Sequence, residues 1–143
     1  MIHVKQSIRW NIRPEQWSSQ AQKALKKSWK ECSKLAIETA KEKAPTKSVA
    51  KTIEARQVSI TGFKLFCNHP AGIFLESGTR DHWIEPVKKQ ALHWKTAKGK
   101  SAFSKGHMVS GIKERPFIAP AIHQNANKFL EIHTNNLNIA FSK

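Results

Sequence analysis

PEQWSSQAQKALKKSWKECSKLAIETAKEK, residues 14–43, is the stretch whose reading decides the fold. From Trp17 the less polar positions recur at Ala21, Ala24, Leu25, Ser28, Cys32, Leu35, Ala36, Thr39 and Ala40, the three-and-four spacing of one helix face. Lys23, Lys26, Lys27, Lys30, Lys34 and Lys41 cover the rest. Pro14 suits the first turn, where its missing N–H costs nothing, and Pro45 ends the element. The spacing predicts a helix over 14–43. Its lysines, with Trp17 and Trp29, also have the composition of a membrane-surface helix. The many Ala and Ser positions on its apolar side favour packing on a sheet instead.

Elements on either side of this helix complete the pattern. Residues 3–12 alternate loosely through Val4, Ile8, Trp10 and Ile12, so residues 1–12 read as an extended arm or strand. Residues 49–60 carry Val49, Ile53, Ala55, Val58 and Ile60, with a change of phase between Ala55 and Val58 that fits a bulge or kink. Thr61-Gly62 then reads as a tight turn into Phe63–Asn68, closing a hairpin. Ile73-Phe74-Leu75 extends the apolar strand pattern up to Gly78. Trp83-Ile84 and Ala91–Trp94 read as two short strands separated by Pro86 and Lys88-Lys89. Periodicity disappears from Thr96 to Ser110, and residues 96–110 read as a mobile basic loop. Pro120 opens a second helix with Ile122, Ala126, Phe129, Leu130, His133, Leu137, Ala140 and Phe141 on one face. With no internal repeat or domain boundary, residues 1–143 read as one α+β domain: an antiparallel sheet with both helices on one side.

Composition narrows the function classes. Twenty-five Lys and Arg stand against ten acidic residues, a net charge of +15, which draws the chain toward DNA, RNA, anionic lipid or an acidic protein. Five Trp and seven Phe argue against disorder. No apolar run approaches the ~20 residues of a membrane span, and residues 1–7 lack the apolar stretch of a secretory signal. Two cysteines, Cys32 on the helix and Cys67 on a strand, do not make a disulfide framework, so a reducing cytoplasm is expected.

Reactive chemistry finds little support. Lys98-Gly99-Lys100-Ser101 superficially resembles a phosphate-binding loop, but Trp94 stands where the Walker pattern needs its first glycine, and no helix pattern follows. His69, His82, His93, His107, His123 and His133 follow no standard zinc spacing. Glu76 with His82 has the makings of an acid/base pair, with His107 recruited from the loop, as a small His-dependent nuclease would need. Scattered histidines in a basic protein are more often packing or surface residues. We expect no catalytic, metal-binding or cofactor-binding residues and no cofactor. The acid-free stretch Pro86–Lys113, with Lys88, Lys89, Lys95, Lys98, Lys100, Lys105 and Lys113, is more informative. It is either a solvated loop or a surface facing DNA or an acidic partner.

Two motifs bracket that stretch. In Ile73–Arg80, Gly78 follows an apolar run and calls for positive φ or a close backbone approach, with Glu76 and Arg80 of opposite charge on either side. They either clamp the turn or pair with a neighbouring subunit. In Gly111–Ala121, Pro116 holds Arg115 extended, Phe117 is an aromatic anchor, and Pro120 begins the last helix.

Phe74-Leu75-Glu76-Ser77-Gly78-Thr79-Arg80, with His82, Ile84-Glu85-Pro86 and Lys89-Gln90-Ala91-Leu92 after it, resembles a Glu-x-Gly-Thr block followed by a Pro…Lys-x-Ala-Leu segment. Gly111-Ile112-Lys113-Glu114-Arg115-Pro116-Phe117-Ile118-Ala119-Pro120-Ala121 is similar to a Pro-Gly-x-x-x-x-Pro-Phe-(Leu/Ile)-x-Pro-Ala block, with Ser110 where a proline often precedes the glycine. In this order the blocks resemble the small neck or tail-completion proteins of long-tailed bacteriophages, typified by gene product ten of phage HK-ninety-seven. The resemblance covers roughly residues 70–122. It implies a non-enzymatic head–tail joining protein of the virion, made in the bacterial cytoplasm, ringed with copies of itself and adjoining head-connector and tail proteins. Glu76, Gly78, Arg80, Arg115 and Phe117 are then subunit-interface candidates. Lys88, Lys89, Lys95, Lys98, Lys100 and Lys105 are candidates to face DNA or an adjoining ring. A stand-alone basic nucleic-acid-binding module is the alternative.

Overall fold

Ser18, not Pro14, begins the long helix. In the computed structural model, which describes residues 4–9, 17–60 and 62–142, helix α1 spans Ser19–Lys43 and Ser18 Oγ accepts from the Ala21 N–H at 3.3 Å. This is an N-cap that frees the chain before it from helical geometry. Pro14 lies outside the described residues. At the other end Ala44 is extended ahead of Pro45, and Lys41 and Lys43 sit in the last turn, where cations suit the helix dipole. Ala21, Leu25, Ser28, Trp29, Cys32, Ala36 and Ala40 form the buried stripe.

Strand β1 (Val4–Arg9) accounts for part of the expected N-terminal arm; residues 10–12 lie outside the described residues. The stretch expected to be a strand from residue 49 opens instead with a short helix, α2 (Lys47–Lys51), whose N-cap is Thr46. Strand β2 (Ile53–Ser59) follows and pairs antiparallel with β3 (Gly62–Cys67), the expected hairpin. The register shifts between Gln57 and Ser59, so the anticipated break in alternation is a bulge at Val58. β1 pairs antiparallel on the other side of β3, giving the order β1-β3-β2.

Ile73-Phe74-Leu75 is not strand but helix α3 (Gly72–Ser77). Three consecutive apolar residues do not distinguish the two by periodicity. The helix turns Leu75 to the core and leaves Phe74 largely exposed. The final helix is also two: α4 (Ile118–His123) and α5 (Ala126–Phe141). At the break the buried Asn125 side chain donates to Thr39 Oγ1 and to the Ala121 carbonyl, each at 2.9 Å. The break resets the helical phase, so Phe129 and His133 are buried whereas Leu130 and Phe141 face solvent.

α1 rests on β2 and β3 and is flanked by α4 and α5, so the helices share one side of the antiparallel sheet in an α+β fold. Phe63, Leu65 and Cys67 of β3 meet Leu25, Trp29 and Cys32 of α1, with Phe117 and Ile118 closing the end. Trp29 and Phe129 each set a ring edge-on to Phe63, at 5.8 and 6.0 Å between centroids. No helix among the described residues is long and apolar enough to cross a membrane.

His133 sits inside this core, 4.2 Å from the Trp29 ring centroid, with Nε2 3.8 Å from Cys32 Sγ. Burial lowers its pKa to about 4 from an ordinary 6.5. Burial, and secondarily the Glu31 charge, push the Cys32 thiol up to about 12. Both groups are therefore neutral near pH 7. The unfolded chain takes up the His133 proton first as pH falls, so stability is present above 6.5 and lost between 6.5 and 4. Urea unfolding should show His133 contributing a loss approaching ~3 kcal/mol across that window. His133→Leu should lose correspondingly less; an equal loss in both proteins would exclude His133 as the titrating group.

Candidate functional site

The two motifs are one structure. Glu76, in the last turn of α3, directs its carboxylate at the start of α4: Oε2 accepts from the N–H groups of Phe117 and Ile118 at 2.8 and 3.0 Å, and Oε1 from Ala119 at 2.8 Å. A helix start leaves its first N–H groups without helical partners, and Phe117 itself supplies no side-chain cap. A carboxylate from another segment therefore caps α4. Around it the backbones join: Arg115 N–H to the Leu75 carbonyl at 2.7 Å and Thr79 N–H to the Ile112 carbonyl at 2.8 Å. Thr79 Oγ1 accepts from Ile112 N–H at 2.8 Å, and Asp81 Oδ1 from Gly111 N–H at 2.6 Å.

Both glycines are required by this closeness. Gly78 has φ +69°, and a Cβ there would lie 2.9 Å from the Ile112 carbonyl oxygen. At Gly111 a Cβ would collide with the Thr79 carbonyl. A shallow groove of about 370 Å³ runs along the join, lined by Ser77, Gly78, Thr79, Arg80, Ile112 and Glu114.

The Glu76 cap and the joined backbones around it form a latch, and the latch holds out an arm. Strand β4 (His82–Ile84) leaves it and β7 (His107–Val109) returns to it, paired antiparallel. Beyond them β5 (Leu92–Lys95) pairs antiparallel with β6 (Ser101–Ser104). Residues 96–110, expected to be a mobile loop, thus contain two strands. Strand pairing does not require apolar periodicity where both faces of a ribbon are largely solvated. Thr96 and Lys100 close the tip, with Thr96 N–H donating to the Lys100 carbonyl at 2.8 Å. Neither ribbon packs substantially on the helices or the main sheet.

Both ribbons of the arm expose large apolar side chains. Trp83 and Met108 are cross-strand partners, 58% and 61% exposed; Phe103, 69% exposed, stacks on His93 at 4.7 Å. A two-stranded ribbon has no core in which to bury them. Single exposed apolar side chains are ordinary, whereas grouped aromatics and methionine are typical of binding surfaces. Lys88, Lys89, Lys95, Lys98, Lys100 and Lys105 are all exposed along the same arm.

The expected interface residues divide. Arg80 and Arg115 expose their side chains. The Glu76 carboxylate is engaged by three backbone donors and makes no ion pair with Arg80, which corrects the charge-clamp reading. Gly78 is faced by residues 112–114, and Phe117 is fully buried in the core, so its anchoring role is internal. Sequence reasoning missed Thr79, Asp81, Trp83, Phe103 and Met108. The short polar side chains beside Gly78 were a local signal for the first two, whereas the exposure of the last three depends on the arm's projection.

No acid/base site is assembled from the histidines singled out. His82 Nδ1 lies 3.1 Å from the Arg80 carbonyl rather than on Glu76, and the His107 ring packs against Trp94 at 5.2 Å. The Cys32–His133 pair is buried and neutral, unlike the exposed, low-pKa thiolate that nucleophilic chemistry needs. Lys98–Ser101 lie at the tip turn and run into β6, not a helix. Among the described residues no three His, Cys, Asp or Glu side chains come together as metal ligands.

Glu76→Ala strands three donors and should cost about 3 kcal/mol in urea unfolding. Phe117→Ala should cost about 3–5 kcal/mol as a folding defect. Near-wild-type stability of either would contradict the latch. Comparison with known proteins gives no match to a family model, a curated protein or a solved structure.

Proposed function

We propose that this chain is a non-catalytic structural protein of a long-tailed bacteriophage virion, joining head to tail as a ring of copies around the DNA channel. The observation that carries the reading is the latch: the two sequence blocks on which the resemblance rests bind each other through Glu76. An anchored arm with exposed apolar side chains suits a heterologous contact that closes by rotation. In this reading the arm reaches a neighbouring copy or an adjoining ring through Trp83, Phe103 and Met108, while its lysines face DNA or an acidic ring surface. The stand-alone nucleic-acid-binding alternative is favoured by the acid-free stretch Pro86–Lys113, which makes up most of the arm.

Light scattering after size exclusion, followed by negative-stain imaging, tests assembly alone and with head-connector or tail proteins. Rings are expected from the wild type. The triple variant Trp83→Ser, Phe103→Ser, Met108→Ser should stay monomeric, with stability within roughly 0.5 kcal/mol of wild type. Equal assembly by the variant would remove the arm from the interface. A wild type that stays monomeric with every partner and binds DNA tightly at physiological salt would favour the nucleic-acid module.

A further inference from the structure

The side of the main sheet turned away from the helices carries a second basic surface, built on rigid backbone. Alternation along the strands turns Phe63, Leu65 and Cys67 inward and leaves Lys64 exposed and Phe66 half-exposed. The registers define two adjacent rows across β1, β3 and β2: Ser7–Lys64–Arg56 and Lys5–Phe66–Glu54. Three cations and one carboxylate thus share six neighbouring positions. Arg56 and Lys64 are direct cross-strand partners, an arrangement that destabilises a sheet unless something negative lies over it. No ion pair to Glu54 relieves it among the described residues. An open groove of about 480 Å³ lies there, lined by Lys5, Arg56, Gln57, Val58, Lys64, Phe66 and Asn68.

We propose that this face binds the phosphate backbone of duplex nucleic acid. Charge complementarity identifies a polyanion, because the three cations outnumber the one neighbouring carboxylate, Glu54, which pairs with none of them, and are held at strand spacing by the ladder. Phe66 decides between strand forms. The Arg56 guanidinium already lies over its ring, 5.5 Å from the centroid. The ring is therefore occupied rather than presented to an unpaired base, and what faces outward is charge. A duplex, with its dense phosphate charge and hidden base faces, fits such a surface better than a single strand that needs stacking platforms. Arg and Lys contacts of this kind position a backbone without reading sequence. The inference goes beyond assembly and does not require it. A protein that stays monomeric with every partner yet binds duplex here would sink ring formation and leave this site standing, and rings indifferent to duplex would do the reverse.

The test is fluorescence anisotropy with a labelled duplex and its single strand across a salt series. Arg56→Gln with Lys64→Gln should weaken duplex binding by about tenfold or more and reduce the log–log salt slope by about two. The charge-matched arm variant, Lys98→Gln with Lys100→Gln, should lose less. The sheet variant should unfold at the same temperature as wild type or higher, since a like-charge pair has gone. If its melting temperature falls instead, Arg56→Lys with Lys64→Arg must restore binding. Wild-type affinity and slope in the sheet variant, or failure of the charge-preserving variant to bind, would overturn the proposal. So would preference for the single strand, or equal competition per charge by polyglutamate.

Discussion

A single carboxylate caps the start of α4 from a helix about forty residues earlier in the chain. Glu76 accepts three hydrogen bonds from the first residues of α4, and the geometry of that helix start carries Phe117 and Ile118 into the core. Neutral hydrogen bonds contribute modestly after exchange with water, while charge-assisted ones contribute about twice as much. Leaving a donor unpaired in a partly buried place is the larger effect. The latch therefore acts at two levels, satisfying a helix terminus and setting the separation between α3 and the last two helices. The tight backbone approaches at Gly78 and Gly111 follow from it, because the segments have to lie together for the carboxylate to reach.

How much of this was legible depended on whether each signal was local. Ala21 through Ala40 repeat over several turns, so α1 was plain, and only its start, set by the capping Ser18, differed. The β2–β3 hairpin and its bulge were visible because one face is buried and the break in alternation at Val58 is abrupt. Ile73-Phe74-Leu75 was opaque because a helix of six residues offers barely more than one turn of periodicity. The division of the C-terminal helix was hidden in Asn125, whose helix-breaking role rests on a hydrogen bond to Thr39, far back in the chain. Glu76 attracted notice as a charge beside a glycine, yet its partners are backbone groups 41 to 43 residues away, which side-chain chemistry alone does not reveal. Phe117 attracted notice as an aromatic anchor, but its burial in the core was not legible, since aromatics serve interiors and interfaces alike.

The latch also shapes the electrostatics. Two acidic side chains, Glu76 and Asp81, direct their charge at backbone N–H groups. Neither carboxylate compensates the lysines of the arm or the cations of the sheet's outer face. Besides the exposed lysines of α1, positive charge is gathered on two surfaces of different character. One rides on a slender ribbon with exposed aromatics, while the other is fixed on a three-stranded ladder. The first stands apart from the helices and the main sheet, whereas the second presents charges at set intervals.

The hydrogen bond from Gly111 to Asp81 closes the base of the arm. To the rest of the domain, residues 82–110 amount to a loop whose ends are already pinned together. The entropy of closing such a loop grows only with the logarithm of its length, about 0.6 kcal/mol per doubling. The body's stability is therefore nearly indifferent to how long the arm is or what it carries. Its length and composition can diverge freely under selection for a new partner, while the core and the latch stay unchanged.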